Sequence, residues 1–127
     1  MGEKVLKHLL RSMEPVLHDA PYGYAVAPAI LPGLQPFAIV AEAEGMTIVA
    51  DHAVLRGAGL AADTWARISL TVRSDLAAVG LTAAVATALT AAGISANVIA
   101  GYYHDHLFVP WDRRYDAMAA LKALSRA

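Results

Sequence analysis

Between Asp75 and Asp105 the chain carries no Asp, Glu, Lys or Arg, and the spacing of its side chains changes halfway. From Gly80 to Ala92, Leu81, Val85, Ala88, Leu89 and Ala92 fall on one side of a helical projection, with Thr82, Thr87 and Thr90 on the other. Gly93 is the residue type expected just past a helix end. Ile94 to Tyr103 is too short for another buried helix and rich in β-branched and aromatic residues, which predicts a strand. Ahead of Asp75, Trp65 to Arg73 alternates apolar and polar side chains, the period of a half-buried strand. Strand, short loop, helix and strand form the heart of the chain. Such a unit suits ligand sensing better than catalysis.

The remaining segments fall around this heart. Residues 3–12 predict a short amphipathic helix with Val5, Leu6, Leu9, Leu10 and Met13 on one face, stopped by Pro15. Tyr22 to Ala27 reads as a strand between Pro21 and Pro28, and the three prolines of 28–36 as a loop. Phe37–Ala43 and Met46–Ala50 flank Glu44-Gly45 as a β-hairpin. Asp51 can cap a short helix to about Arg56, closed by Gly57 and Gly59. After Asp63 come strand 65–72, helix 80–92, strand 94–103, a turn near Asp105, strand 106–110 and helix 112–125 with Asp112 as its N-cap. That order is βαββα, one strand short of βαββαβ. A chain that ends in a helix cannot supply the strand there, so the first half is expected to complete the C-terminal sheet. Gly57–Asp63 is the candidate boundary.

Composition narrows the function classes. The chain has 127 residues, enough for one ordinary domain or two very small ones. Hydrophobic residues reach 57 %, with alanine commonest, which implies tight packing of small side chains or a buried interface. A net charge of −1 offers nucleic acid and anionic membranes no electrostatic attraction. No cysteine is present, which excludes disulfides, thiolate metal sites and cysteine nucleophiles. Glu3, Lys4, Lys7, His8 and Arg11 break any apolar core of a signal peptide. The uncharged stretch is Ala- and Thr-rich, broken by Gly80 and Gly93, and reads against a membrane span. A cytoplasmic protein is expected.

Two places could carry chemistry. The loop Ser74–Leu81 leads into a helix, where unpaired backbone N–H groups and the positive dipole end favour a carboxylate. Gly80 would admit a ligand close to the backbone, and Asp75 could accept from an ammonium group; the pairing suits an amino acid. The plain alternative is a capped turn with a packing glycine. The second place is His104-Asp105-His106, whose i, i+2 histidines and carboxylate suit a transition metal if the strand is continuous, and form a structural polar turn if it is not. No nucleophile elbow, Walker or dinucleotide glycine spacing occurs.

The residues also carry a resemblance. Gly80-Leu81-Thr82-Ala83-Ala84-Val85, followed by Leu89-Thr90-Ala91-Ala92-Gly93-Ile94-Ser95, resembles the first βαβ of an ACT domain. Val79 to Ala84, Asn97 to Pro110 and Glu42 to Thr47 are similar to a family of small standalone proteins with two fused ACT-like units and no assigned function. The resemblance implies an α+β fold of two ferredoxin-like βαββαβ units packed together, with antiparallel sheets and helices on one face. It implies an incomplete or decorated N-terminal unit at 1–62 and a C-terminal ACT domain at 63–127. By position it nominates Asp75, Val79, Gly80, Leu81, Thr82, Asn97 and Val98 as ligand contacts; His104, Asp105 and His106, read from the residues themselves, are the secondary candidate site. The loop departs from the Asp-x-Pro-Gly form, with Asp75 five positions before Gly80, and Ala100 and Gly101 stand where some related ACT proteins carry Ser and Thr.

The expectation is a non-catalytic ACT-type regulatory protein that binds an amino acid, needs no cofactor or metal, forms a homodimer and serves an enzyme of amino-acid metabolism. A ligand-free dimerisation module and a metal-dependent enzyme built on His104, Asp105 and His106 are the alternatives.

Overall fold

Helix α1 (Gly2–Ser12) opens the chain and stops ahead of Pro15, whose ring disfavours helical angles in the residue before it. The computed structural model describes residues 2–60, 62–71 and 80–126. Strands β1 (Pro15–Ala27), β2 (Ala38–Glu42) and β3 (Gly45–Asp51) follow, then helix α2 (His52–Gly57) and strand β4 (Trp65–Leu70). Helix α3 (Leu81–Ala91), strands β5 (Asn97–Ala100) and β6 (Asp105–Pro110) and helix α4 (Arg114–Ser125) complete the order. The chain forms two compact units, one of residues up to His18 with Ala66 onward, the other of Asp19 to Trp65.

In the larger unit the strand order is β1-β4-β6-β5. Read from β4, the chain runs βαββα, and β1 lies beside β4 as the fourth strand. This is the ferredoxin-like arrangement, and the missing strand comes from the first half, as expected. Thr71 N–H and its hydroxyl both donate to Glu14 O, at 3.4 and 2.8 Å, tying the strand ends. Side-chain alternation sends Ala66, Ile68 and Leu70 of β4 and Leu107 and Val109 of β6 into one core with Leu81, Val85 and Leu89 of α3 and Ala117 and Leu121 of α4. Leu9 and Met13, from α1 and the residue just past it, join that core, with Leu6 and Leu10 partly buried against it. Each fully buried Leu or Ile contributes roughly 1.5–3 kcal/mol.

The exit from α3 shortens the strand expected at 94–103. Gly93 takes φ +71°, Gly93 N–H donates to Thr90 O and Ile94 N–H donates to Leu89 O at 2.9 Å, the Schellman pattern. Ile94 is thereby drawn into the core, and pairing begins only at Asn97. β5 and β6 are antiparallel, with Asn97 opposite Phe108 and Ala100 opposite Asp105. The turn lies at Gly101–His104, with Tyr102 and Tyr103 at its exposed tip, and Asp105 opens β6. Asp112 does not cap α4: a 3₁₀ turn at Trp111–Arg113 leads in, and Arg113 bonds Asp116 at 3.0 Å.

In the smaller unit the order is β2-β3-β1, both ladders antiparallel. β1 begins seven residues before the expected Tyr22 and passes through Pro21. Its register with β3 starts at Tyr22 opposite Asp51, so the absent proline N–H costs that ladder nothing. The hairpin turns at Ala43-Glu44, one residue earlier than expected, with Glu42 opposite Gly45. Ala25, Ala27, Ile48, Ala50 and Leu55 form the core, sealed by Leu31 and Leu34 of the proline loop. The carboxylates here hold structure: Thr47 donates to Glu42, and Asp51 accepts from Ala53 N–H at 2.9 Å to cap α2.

Candidate functional site

Gly80 is the N-cap of α3 and holds φ +102°, a conformation that side chains other than hydrogen rarely allow. A β-carbon there would meet Leu6 Cδ2 at 3.2 Å. The first helical bond, Ala84 N–H to Gly80 O at 2.9 Å, is made, and Gly80 has no side chain with which to cap the earlier N–H groups. Beside it runs a groove of about 550 Å³ among α1, α3 and α4, lined by Leu6, Gly80, Ala83, Ala84, Thr87, Ala88, Ala91 and Leu124. Its walls are apolar apart from Thr87.

The sequence-nominated contacts divide in space. Asp75 and Val79 lie outside the described residues. Leu81 is 3 % exposed and belongs to the core, so it can offer a ligand only its backbone. Thr82 is exposed on the first turn of α3. Asn97 and Val98 sit on β5, at the sheet edge, and do not line the groove. Val98 opposes Leu107 on the helix-covered face, whereas Asn97 opposes Phe108 on the other. The groove residues Leu6 and Leu124 come from the chain ends; amphipathic spacing was their only signal.

The His104-Asp105-His106 segment has a different setting. On the face of the sheet turned away from the helices, His18 of β1, Arg67 and Ser69 of β4 and His106 of β6 meet. Ser69 Oγ lies 2.8 Å from both His18 Nε2 and His106 Nδ1. Arg67 Nη2 is 3.5 Å from His106 Nδ1. The Ser69 hydroxyl can donate to one imidazole and accept from the other, so both of its roles are filled. Burial, reinforced by the positive charges of Arg67, His104 and His18, pushes His106 down to about 4. Burial raises Asp105, and His104 partly opposes it. His104 Nδ1 is buried without a hydrogen-bond partner among the described residues. Among the described residues, no three His, Asp or Glu side chains are placed to share a metal ion.

Comparison with known proteins places this geometry. Residues 1–67 match an ACT-domain family, and residues 60–123 match a second. The chain belongs to the ACT-domain family. This ACT protein is similar, at 43 % identity and TM-score 0.87, to a Vibrio cholerae protein of unknown function described as a possible transport protein, over 98 % of this chain and 99 % of that one. A protein from Agrobacterium tumefaciens matches at 18 % identity and TM-score 0.76, over 89 % of each chain. The ligand-free regulatory subunit of aspartate kinase from Thermus thermophilus matches at 11 % identity and TM-score 0.62, over 87 % of this chain and 95 % of that one. The last two likenesses are of fold. No curated protein matches the sequence. Among the described residues of this ACT protein, no helix is long and apolar enough to cross a membrane.

Proposed function

We propose that this ACT protein is a non-catalytic regulator that binds an amino acid at the start of α3. The observation that carries the reading is the groove beside Gly80, in a fold shared with the regulatory subunit of an aspartate kinase. The backbone N–H groups of the first helical turn would take the carboxylate. The apolar groove would seat an aliphatic side chain, and Thr82 and Asp75 are the polar groups nearest in sequence for the amine. Leu6 is the gate: its terminal carbons stand closest to Gly80, and a rotamer change would widen the entrance. A homodimer acting on an enzyme of amino-acid metabolism is the setting we infer, since regulation requires a state whose equilibrium the ligand shifts.

Calorimetric titration of the full chain with the common amino acids is the test. Saturable heat with one or a few aliphatic members is expected. Absence of heat with all of them, together with unchanged elution on gel filtration, would replace this reading with a ligand-free dimerisation module whose partner covers the same groove.

A further inference from the structure

We propose that the α3 groove selects its amino acid by length: the ligand carries a long, uncharged apolar side chain laid along α3 from Gly80 toward Ala91. Length selection rests on the amino-acid reading above and narrows it.

Three features of the groove carry it. The first is direction. Leu6 of α1 lies 3.2 Å from where a β-carbon at Gly80 would stand. At the other end of α3, Arg113 Nη2 donates to Ala92 O at 3.1 Å, so α4 starts where α3 stops and the two helices run antiparallel. Leu124, near the end of α4, therefore returns to the Gly80 end, where it and Leu6 flank the entrance. From there the lining continues along α3 past Ala84, Thr87 and Ala88 to Ala91.

The second feature is reach. The eleven residue steps from Gly80 to Ala91 rise about 16 Å. With carbon–carbon bonds of about 1.5 Å, a valine side chain extends about 3 Å and a six-carbon chain at most about 9 Å. Short side chains leave most of the groove to water, and each added methylene finds more apolar wall to cover.

The third feature is chemistry. Ala84, Ala88 and Ala91 recur at helical spacing and keep the floor low, where leucines would fill the groove themselves. No lining residue is charged, and Thr87 supplies the one side-chain hydroxyl among the described residues. An ionised side chain laid here would lose its water and gain no partner. Aspartate, glutamate, lysine and arginine are therefore disfavoured.

The test is calorimetric titration of the full chain with a series that varies only in length: alanine, norvaline, norleucine and 2-aminooctanoate. A fully buried methylene multiplies affinity about fourfold and a half-covered one about twofold, so affinity should rise at least about thirtyfold from alanine to 2-aminooctanoate. Norleucine should bind more tightly than lysine, whose methylene chain ends in a charge. Ala88 lies about 12 Å along the helix from Gly80, and helical side chains lean toward the N-terminus. Ala88→Leu should therefore abolish the gain beyond norleucine and leave norvaline unchanged. Should Ala88→Leu prove unfolded, the wild-type series decides alone. Affinity that does not grow with length, lysine binding as tightly as norleucine, or a folded Ala88→Leu protein that keeps the full series would each overturn length selection and leave the amino-acid reading standing. No heat with any member would overturn that reading, and length selection with it.

Discussion

His106 should make the protein lose stability on mild acidification. Its imidazole is held neutral down to about 4, against 6.5 when unperturbed. Above about 6.5 both folded and unfolded chains keep it neutral, and it carries no penalty. Between about 6.5 and 4 the unfolded chain takes up the proton while the folded one refuses it, so stability falls as pH falls and the loss is complete below 4. The full shift corresponds to about 3 kcal/mol; for a half-buried group, solvent screening brings this to about 1–2 kcal/mol. Urea denaturation at pH 7 and pH 4.5 measures it, as a midpoint drop of about 0.5–1.5 M. Carboxylates titrate over the same interval, so His106→Gln is the control: its amide can still bond Ser69, and its loss between the two pH values should be smaller by that amount. Identical pH dependence in wild type and His106→Gln would refute the reasoning.

Other perturbations read other parts of the molecule. Gly80→Val forces a β-branched residue to φ +102° against Leu6 and should abolish amino-acid binding, with a stability cost of about 1–3 kcal/mol; a folded variant with unchanged calorimetric affinity would remove this backbone from the site. Gly101→Ala places a methyl 2.8 Å from His104 O, a backbone atom that cannot swing aside, so hydrogen exchange at the β5–β6 hairpin should accelerate. Asp51→Ala deletes the cap of α2 and should cost about 0.5–2 kcal/mol in urea denaturation.

The ferredoxin-like core was legible because its signals are local: alternation over 65–72, helical spacing over 81–92 and a glycine exit at Gly93. The completion of its sheet followed from counting strands. What escaped was non-local. Ser69 and Arg67 occupy the polar positions of an alternating strand and so read as solvent-facing, yet Ser69 is 7 % exposed. Its partners lie 51 and 37 residues away, at His18 and His106. His18 was hidden further because Pro21 appeared to bound the strand, when β1 runs past it on both sides. The setting of the histidine-rich segment depends on where the turn falls, and periodicity does not carry across a turn. The groove beside Gly80 escaped because Leu6 and Leu124 come from opposite ends of the chain.

The origin of the fourth strand decides how the protein may be dissected. Residues 63–127 alone look like a self-sufficient globule, but β4 within them would be left with a raw lateral edge and without the cover of Leu9 and Met13. Exposed strand edges recruit other chains, so excising that fragment should yield aggregates, whereas adding residues 1–18 in trans should rescue its solubility.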